Sequence, residues 1–269
     1  MFCVSVLKEL LLRPSSMSQQ PLLFNTGRLG NRFFANMAFH FISKQHGTSV
    51  QYTWEPPFQE LGIQFHRVSE SPPVLTNPSP LMITDSNFMD LIQTPDPSQE
   101  YVFYLDHMDR RAYYQTREFA LYLAKHFANP LARNPILQSN PFKSRYNTNR
   151  DVFVHVRLGD VTHFTPSKSY FETALQAVPF EGGYISSDSP THPLVQELMA
   201  KYKLRLVQDT EVRTLQLAST CRFLVLSQGT FSFMMGLFGF YTELVQWPQM
   251  KHKWHGDIFV LPGWKEVAW

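Results

Sequence analysis

The chain has 269 residues, 43% hydrophobic and 17% charged, with a formal net charge of +2. That composition excludes a disordered chain, and the balanced charge gives no footing to a nucleic-acid or anionic-membrane surface. Two cysteines, Cys3 and Cys221, are too few for a structural zinc site or a disulfide framework.

Residues 1–14 read as a short amphipathic segment with Val6, Leu7, Leu10 and Leu11 on one side. Lys8 and Glu9 interrupt it, and it falls short of the roughly 20 residues of a membrane span. It has neither the basic start nor the cleavage site of a signal peptide. A soluble, cytoplasmic protein without a transmembrane segment is expected. Residues 15–20 are polar loop, and Pro21 to Phe24 is a short strand leading into the loop Gly27 to Asn31. Phe34, Met37, Ala38, Phe41 and Ile42 then recur at helical spacing, so residues 33–43 form a helix. Residues 55–100 are rich in proline, with short strands at Val74-Leu75 and Met82-Ile83. A strand is expected at Tyr101 to Leu105 and a helix at Phe119 to Phe127. Pro130, Pro135 and Pro141 make residues 129–149 the expected domain boundary.

The second half alternates. Strands are expected at 152–156, 183–186, 204–207 and 222–226. Helices are expected at 169–177, 193–201, 211–219 and 231–240. Strands alternating with helices imply a parallel sheet with right-handed crossovers. Strands of this half end in polar or charged residues, and open α/β sheets bind ligands at those carboxyl ends.

The strand at 152–156 runs out through His155, Arg157 and Asp160. Alternation puts His155 and Arg157 on one face. An arginine there suits a phosphate, because its planar fork donates two parallel hydrogen bonds. A salt bridge between Arg157 and Asp160 is the simpler alternative. Ser186, Ser187 and Asp188 close the next strand. They are ligand contacts or the start of a helix, with Asp188 or Ser189 as cap and Pro190 in its first turn. Ser227, Gln228, Gly229, Thr230, Phe231 and Ser232 follow a buried strand, where hydroxyls and N–H groups at a helix start make an anion cradle or a simple cap. The glycines of Gly27 to Asn31 permit close backbone approach. No dinucleotide fingerprint, Walker loop, nucleophile elbow or Asp-x-Asp metal pair is present. His252 and His255 read as surface residues.

Together these segments resemble the α1,2-fucosyltransferases and their relatives, the α1,6- and protein O-fucosyltransferases. Gly27-Arg28-Leu29-Gly30-Asn31 resembles the G-x-L-G-N-Q signature, with Arg32 where Gln is usual. Tyr113-Tyr114-Gln115 resembles a Tyr/Phe-Gln-Ser segment, and His155 to Asp160 resembles H-x-R-R-x-D. Ser187-Asp188 resembles Ser-Asp-Asp, and Ser227 to Phe233 resembles S-T-F-S-W.

The resemblance implies an α/β fold of the GT-B type, two Rossmann-like domains facing a central cleft. Residues 1–149 would be the mainly acceptor-side domain and 150–269 the donor-binding domain. It implies an inverting, metal-independent glycosyltransferase needing no cofactor. GDP-fucose is the favoured donor, and a hydroxyl of an oligosaccharide or glycoprotein is the acceptor. By position, Arg157 would meet the donor pyrophosphate with His155 beside it, and Asp188 would contact the nucleoside. Ser227, Thr230, Phe231 and Ser232 would cradle phosphate and sugar, and Gly30 and Asn31 would approach from the opposite domain. Asp160 and His155 are the candidate bases. Leu158 stands where the family has a second arginine, and Asp188 lacks its acidic neighbour. Another donor such as UDP-xylose, or a non-catalytic nucleotide- or carbohydrate-binding relative, therefore stays open.

Overall fold

The computed structural model describes residues 27–47, 50, 52, 54–68, 79–94, 101–105, 113–159, 165–249 and 256–268. The expected segments at 1–14, 21–24 and 74–75, together with Asp160, His252 and His255, lie outside these residues.

The first half contributes α1 (Leu29–His46), α2 (Pro56–Glu60), β1 (Ser79–Ile83), α3 (Phe88–Gln93), β2 (Tyr101–Leu105), α4 (Arg117–Ala128) and α5 (Pro130–Ser139). The second half contributes β3 (Asp151–Val156), α6 (Lys168–Gln176), β4 (Gly182–Ser187), α7 (Pro193–Tyr202) and β5 (Arg205–Leu206). It continues with α8 (Glu211–Ala218), β6 (Phe223–Val225), α9 (Thr230–Leu237), β7 (Leu244–Pro248) and β8 (Lys265–Val267).

One expectation is corrected here. The segment Gly27 to Asn31 is loop only to Arg28, because Leu29, Gly30 and Asn31 form the first turn of α1. The proline-rich boundary segment contains α5. Asn129 caps it by accepting the Leu131 N–H at 2.9 Å, and Pro130 follows in its first turn. Proline is favourable there, since its missing N–H would have no partner within the helix.

β3 to β8 form one parallel sheet in the order β5-β4-β3-β6-β7-β8, while β1 and β2 pair in parallel by themselves. Counted within the larger sheet, that is the 3-2-1-4-5-6 order of a doubly wound Rossmann sheet. Its direction of winding reverses between β3 and β6, which is where such sheets bind ligands.

Side-chain alternation divides the sheet into two apolar faces. Val152, Val154, Val156, Leu158, Ile185 and Val225 face α6 and α7, meeting Tyr170, Phe171, Val195 and Leu198. Phe153, Leu224 and Leu226 face the opposite way, toward α8, α9 and α1. That second cluster joins both halves of the chain: Phe34 of α1 lies 5.2 Å from Phe233 of α9, centroid to centroid. α1 is buried along most of its length, including Asn36, His40 and Ser43, as a core helix and not a surface one. No helix among the described residues is long and apolar enough to cross a membrane.

Candidate functional site

At the carboxyl ends of β3, β4 and β6 the face that packs on α8 and α9 turns polar. Phe153 gives way to His155 and Arg157, Tyr184 to Ser186 and Asp188, and Leu226 to Gln228. In the parallel register His155 lies beside Ser186. These side chains line a cavity of about 650 Å³, with Gly27 to Asn31 of the α1 start, Gly229 to Phe231 of the α9 start, and Val207 to Glu211 closing its walls.

The cavity is held open by a close crossing of two helix starts. A Cβ placed on Gly30 would sit 2.5 Å from Thr230 Oγ1 and 2.6 Å from the Phe231 nitrogen. Only glycine lets α1 and α9 approach this far. One oxygen then ties three separate segments. Asn31 Oδ1 accepts from the Thr230 hydroxyl at 2.8 Å and from Gln115 Nε2 at 3.1 Å. Gly229 stands before α9 at φ 99°, with no side-chain cap on the helix. This answers the simple-cap reading of Ser227 to Ser232, whose hydroxyls are employed elsewhere. Ser227 Oγ accepts the Arg157 N–H at 2.9 Å, and Ser232 Oγ hydrogen bonds His155 Nδ1 at 2.6 Å.

The charged wall centres on Asp188. Its Oδ1 accepts the Leu158 N–H at 2.9 Å, while its Oδ2 pairs with Arg157 and, at 3.4 Å, with Arg28. Two cations thus share one anion, and Asp209 and Glu211 line the same cavity. The helix-start reading of Asp188, Ser189 and Pro190 is overturned. α7 begins at Pro193, and His192 caps it by accepting the Leu194 N–H at 3.2 Å. Leu158 is buried, with its side chain in the core on the opposite face of the sheet. At this position the chain therefore points away from the cavity, and the leucine removes no cation from the cavity wall.

Burial lowers His155 to about 4; Asp188 opposes that shift and Arg157 adds to it. The imidazole is thus neutral near pH 7. Burial raises the Glu211 carboxyl above the ordinary carboxylate range, against the pull of Arg28, Arg157 and Arg32.

Of the sequence-derived site residues, Gly30, Asn31, His155, Arg157, Ser187, Asp188, Gly229, Thr230 and Phe231 line the cavity. Ser227 and Ser232 are fully buried behind it and position Arg157 and His155. Arg28, Ser186 and Gln228, from the same sequence segments, also line the cavity, as does Glu211, which the sequence reading did not single out. Glu211 carries no sequence signal beyond standing at the start of a helix after a strand. No family model matches the chain, and no curated protein matches it.

Proposed function

We propose that this chain is a glycosyltransferase using a nucleoside-diphosphate sugar, GDP-fucose first among them, and inverting the sugar as it passes to a glycan hydroxyl. The observation that carries the reading is the placement of Arg157, with Arg28 beside it, facing the α9 start across a cavity at the β3–β6 reversal. Cations and helix-start amides converging there suit a pyrophosphate. The motif resemblance supplies the sugar.

In this reading the acceptor oxygen bonds to the anomeric carbon as the bond from that carbon to the β-phosphate oxygen breaks. The electron pair leaves with the nucleoside diphosphate, and the proton of the acceptor hydroxyl passes to the leaving diphosphate or to water. Arg157 and Arg28 and the α9 amides stabilise the charge that builds on the leaving group, in a site already organised to do so. Asp188 holds both guanidinium groups in place beforehand. His155, buried and lowered to about 4, is a weak base near neutral pH. Its hydrogen bond to Ser232 fits an orienting role against the substrate.

The test is twofold. GDP, UDP and ADP are screened by thermal shift, since a ligand of the folded state alone raises its stability. A panel of nucleotide sugars is then assayed for release of nucleoside diphosphate. Arg157→Ala is expected to lose about 2–4 kcal/mol of transition-state stabilisation, roughly 30- to 10³-fold in rate, and activity is expected to persist in EDTA. No release from any donor, or near-normal turnover by Arg157→Ala, overturns the reading; inhibition by EDTA overturns its metal-independent part.

A further inference from the structure

Gln115 stands outside the cavity lining and is 2% exposed. Its Nε2 donates to Asn31 Oδ1 at 3.1 Å, the same oxygen that accepts from the Thr230 hydroxyl. Its own Oε1 is buried and has no hydrogen-bond partner among the described residues. Buried polar atoms are nearly always partnered. An unmet buried carbonyl costs at least as much as one hydrogen bond contributes. The amide therefore adds little to folding, and its position is explained by what its N–H group holds.

The backbone that carries Gln115 is fixed from three sides. Asp85, just past β1, accepts the Tyr114 N–H at 2.5 Å and the Tyr113 N–H at 3.3 Å, one on each oxygen. Tyr114 takes φ 56°, a left-handed conformation that is an outlier for a bulky residue. Its buried ring packs against Phe39 and Phe88. Gly256 closes the third side, since a Cβ there would fall on the Gln115 carbonyl. Such strain survives only where the surroundings over-determine it. A shift of this turn would draw the amide away from Asn31. Asn31 and Thr230, which that amide helps to join, both line the cavity.

We propose that Gln115 is a positioning residue of the ligand cavity: it fixes Asn31 against Thr230, and with them the spacing of the α1 and α9 starts, while Asp85 holds the turn from which it reaches. The role rests on the nucleotide-sugar reading, in which this cavity takes the ligand, and adds a part of the machinery that the ligand does not touch.

Gln115→Met keeps the shape of the side chain and removes the donated bond and the unmet oxygen together. Asp85→Asn keeps its shape but sets an NH2 group against one of the two backbone N–H groups. Three quantities are read on the full chain: the unfolding temperature, amide hydrogen exchange over the first two turns of α1 and α9, and the affinity for pyrophosphate and GDP by calorimetry. Gln115→Met is expected to keep the wild-type unfolding temperature and to exchange faster at both helix starts. It is expected to bind both ligands about fivefold more weakly, the weight of one hydrogen bond. Asp85→Asn is expected to quicken the same exchange. It should weaken binding in the wild-type background but not in the Gln115→Met background, as coupled residues do.

Unchanged exchange at both helix starts of Gln115→Met overturns the role. So does a lowered unfolding temperature with wild-type affinity, which makes Gln115 a core residue only. Additive losses in the double variant overturn the part given to Asp85. Where wild type binds GDP and Gln115→Met binds it equally well, the role fails and the nucleotide-sugar reading stands. Where wild type binds neither ligand, the GDP form of that reading falls, and hydrogen exchange alone decides the role.

Discussion

His155 and His40 make the stability of this fold acid-sensitive, by an amount that the structure sets. His155 is 5% exposed and His40 is 9% exposed. Burial lowers His155 to about 4, and burial with His126, Lys44 and His66 lowers His40 to about 3. An unfolded chain takes up a proton on each imidazole near pH 6.5. Well above that pH neither state is protonated, and the neutral histidines cost nothing. As pH falls through 6.5, the unfolded state binds a proton that the folded state refuses. Stability then drops by about 1.4 kcal/mol per pH unit for each group, until the folded-state value is reached. For His155 the total loss is about 3 kcal/mol. With His40 the two slopes together remove about 5 kcal/mol between pH 6.5 and 4.5, comparable to the whole stability of a small domain. His126, lowered by burial, adds with the same sign. Asp85 and Glu211, both raised by burial, oppose it, because their folded forms accept protons first. Urea unfolding is measured from about pH 7.5 to 4.5 for wild type, His155→Gln and His40→Asn. Each variant should lose one histidine's share of the slope. Lines that stay parallel to wild type through this range would refute the account.

Gly30→Val forces a side chain into Thr230 and the Phe231 backbone. It should destabilise the chain by about 1–3 kcal/mol and weaken the thermal shift given by GDP, and a variant as stable as wild type would deny the close helix crossing. Leu158→Arg supplies the second arginine of the H-x-R-R-x-D motif that the segment resembles, but drives a cation into the core on the far face of the sheet. It should cost about 3–5 kcal/mol, the range for a buried charge without a partner, and leave donor affinity no better. Unchanged denaturant stability with tighter donor binding would place that side chain in the cavity after all.

Legibility differed between the halves for physical reasons. β3, β4 and β6 and the helices between them announce themselves by apolar alternation and helical spacing, and their polar ends mark the cavity. Their order in the sheet does not appear in any local pattern. It comes from which way each crossover turns, so the reversal between β3 and β6 emerges only in three dimensions. The same holds for Leu158, whose facing depends on one step of strand alternation carried past the end of β3. α5 was hidden by its prolines, because Pro130 reads as a breaker unless Asn129 is recognised as its cap. Gly30 and Asn31 were placed in a loop because glycine discourages helix; contact with α9, distant in sequence, decides their conformation. Arg157 was legible as a cation at a strand end facing a cavity, but its partner was not: Asp188 holds it, and lies 31 residues away.

The hydrogen bond between Asn31 and Thr230 spans 199 residues of chain, and it closes the cavity wall. Contacts of that separation are slow to form, since the ordering entropy of the intervening chain must be lost before they contribute. A growing polypeptide therefore has no finished ligand cavity until α9 has been synthesised. Fragments ending before Thr230 should not hold a nucleotide however well their remaining parts fold. A ligand that bridges the two helix starts would in turn favour the last step of folding, so that binding and maturation of the chain share one closure.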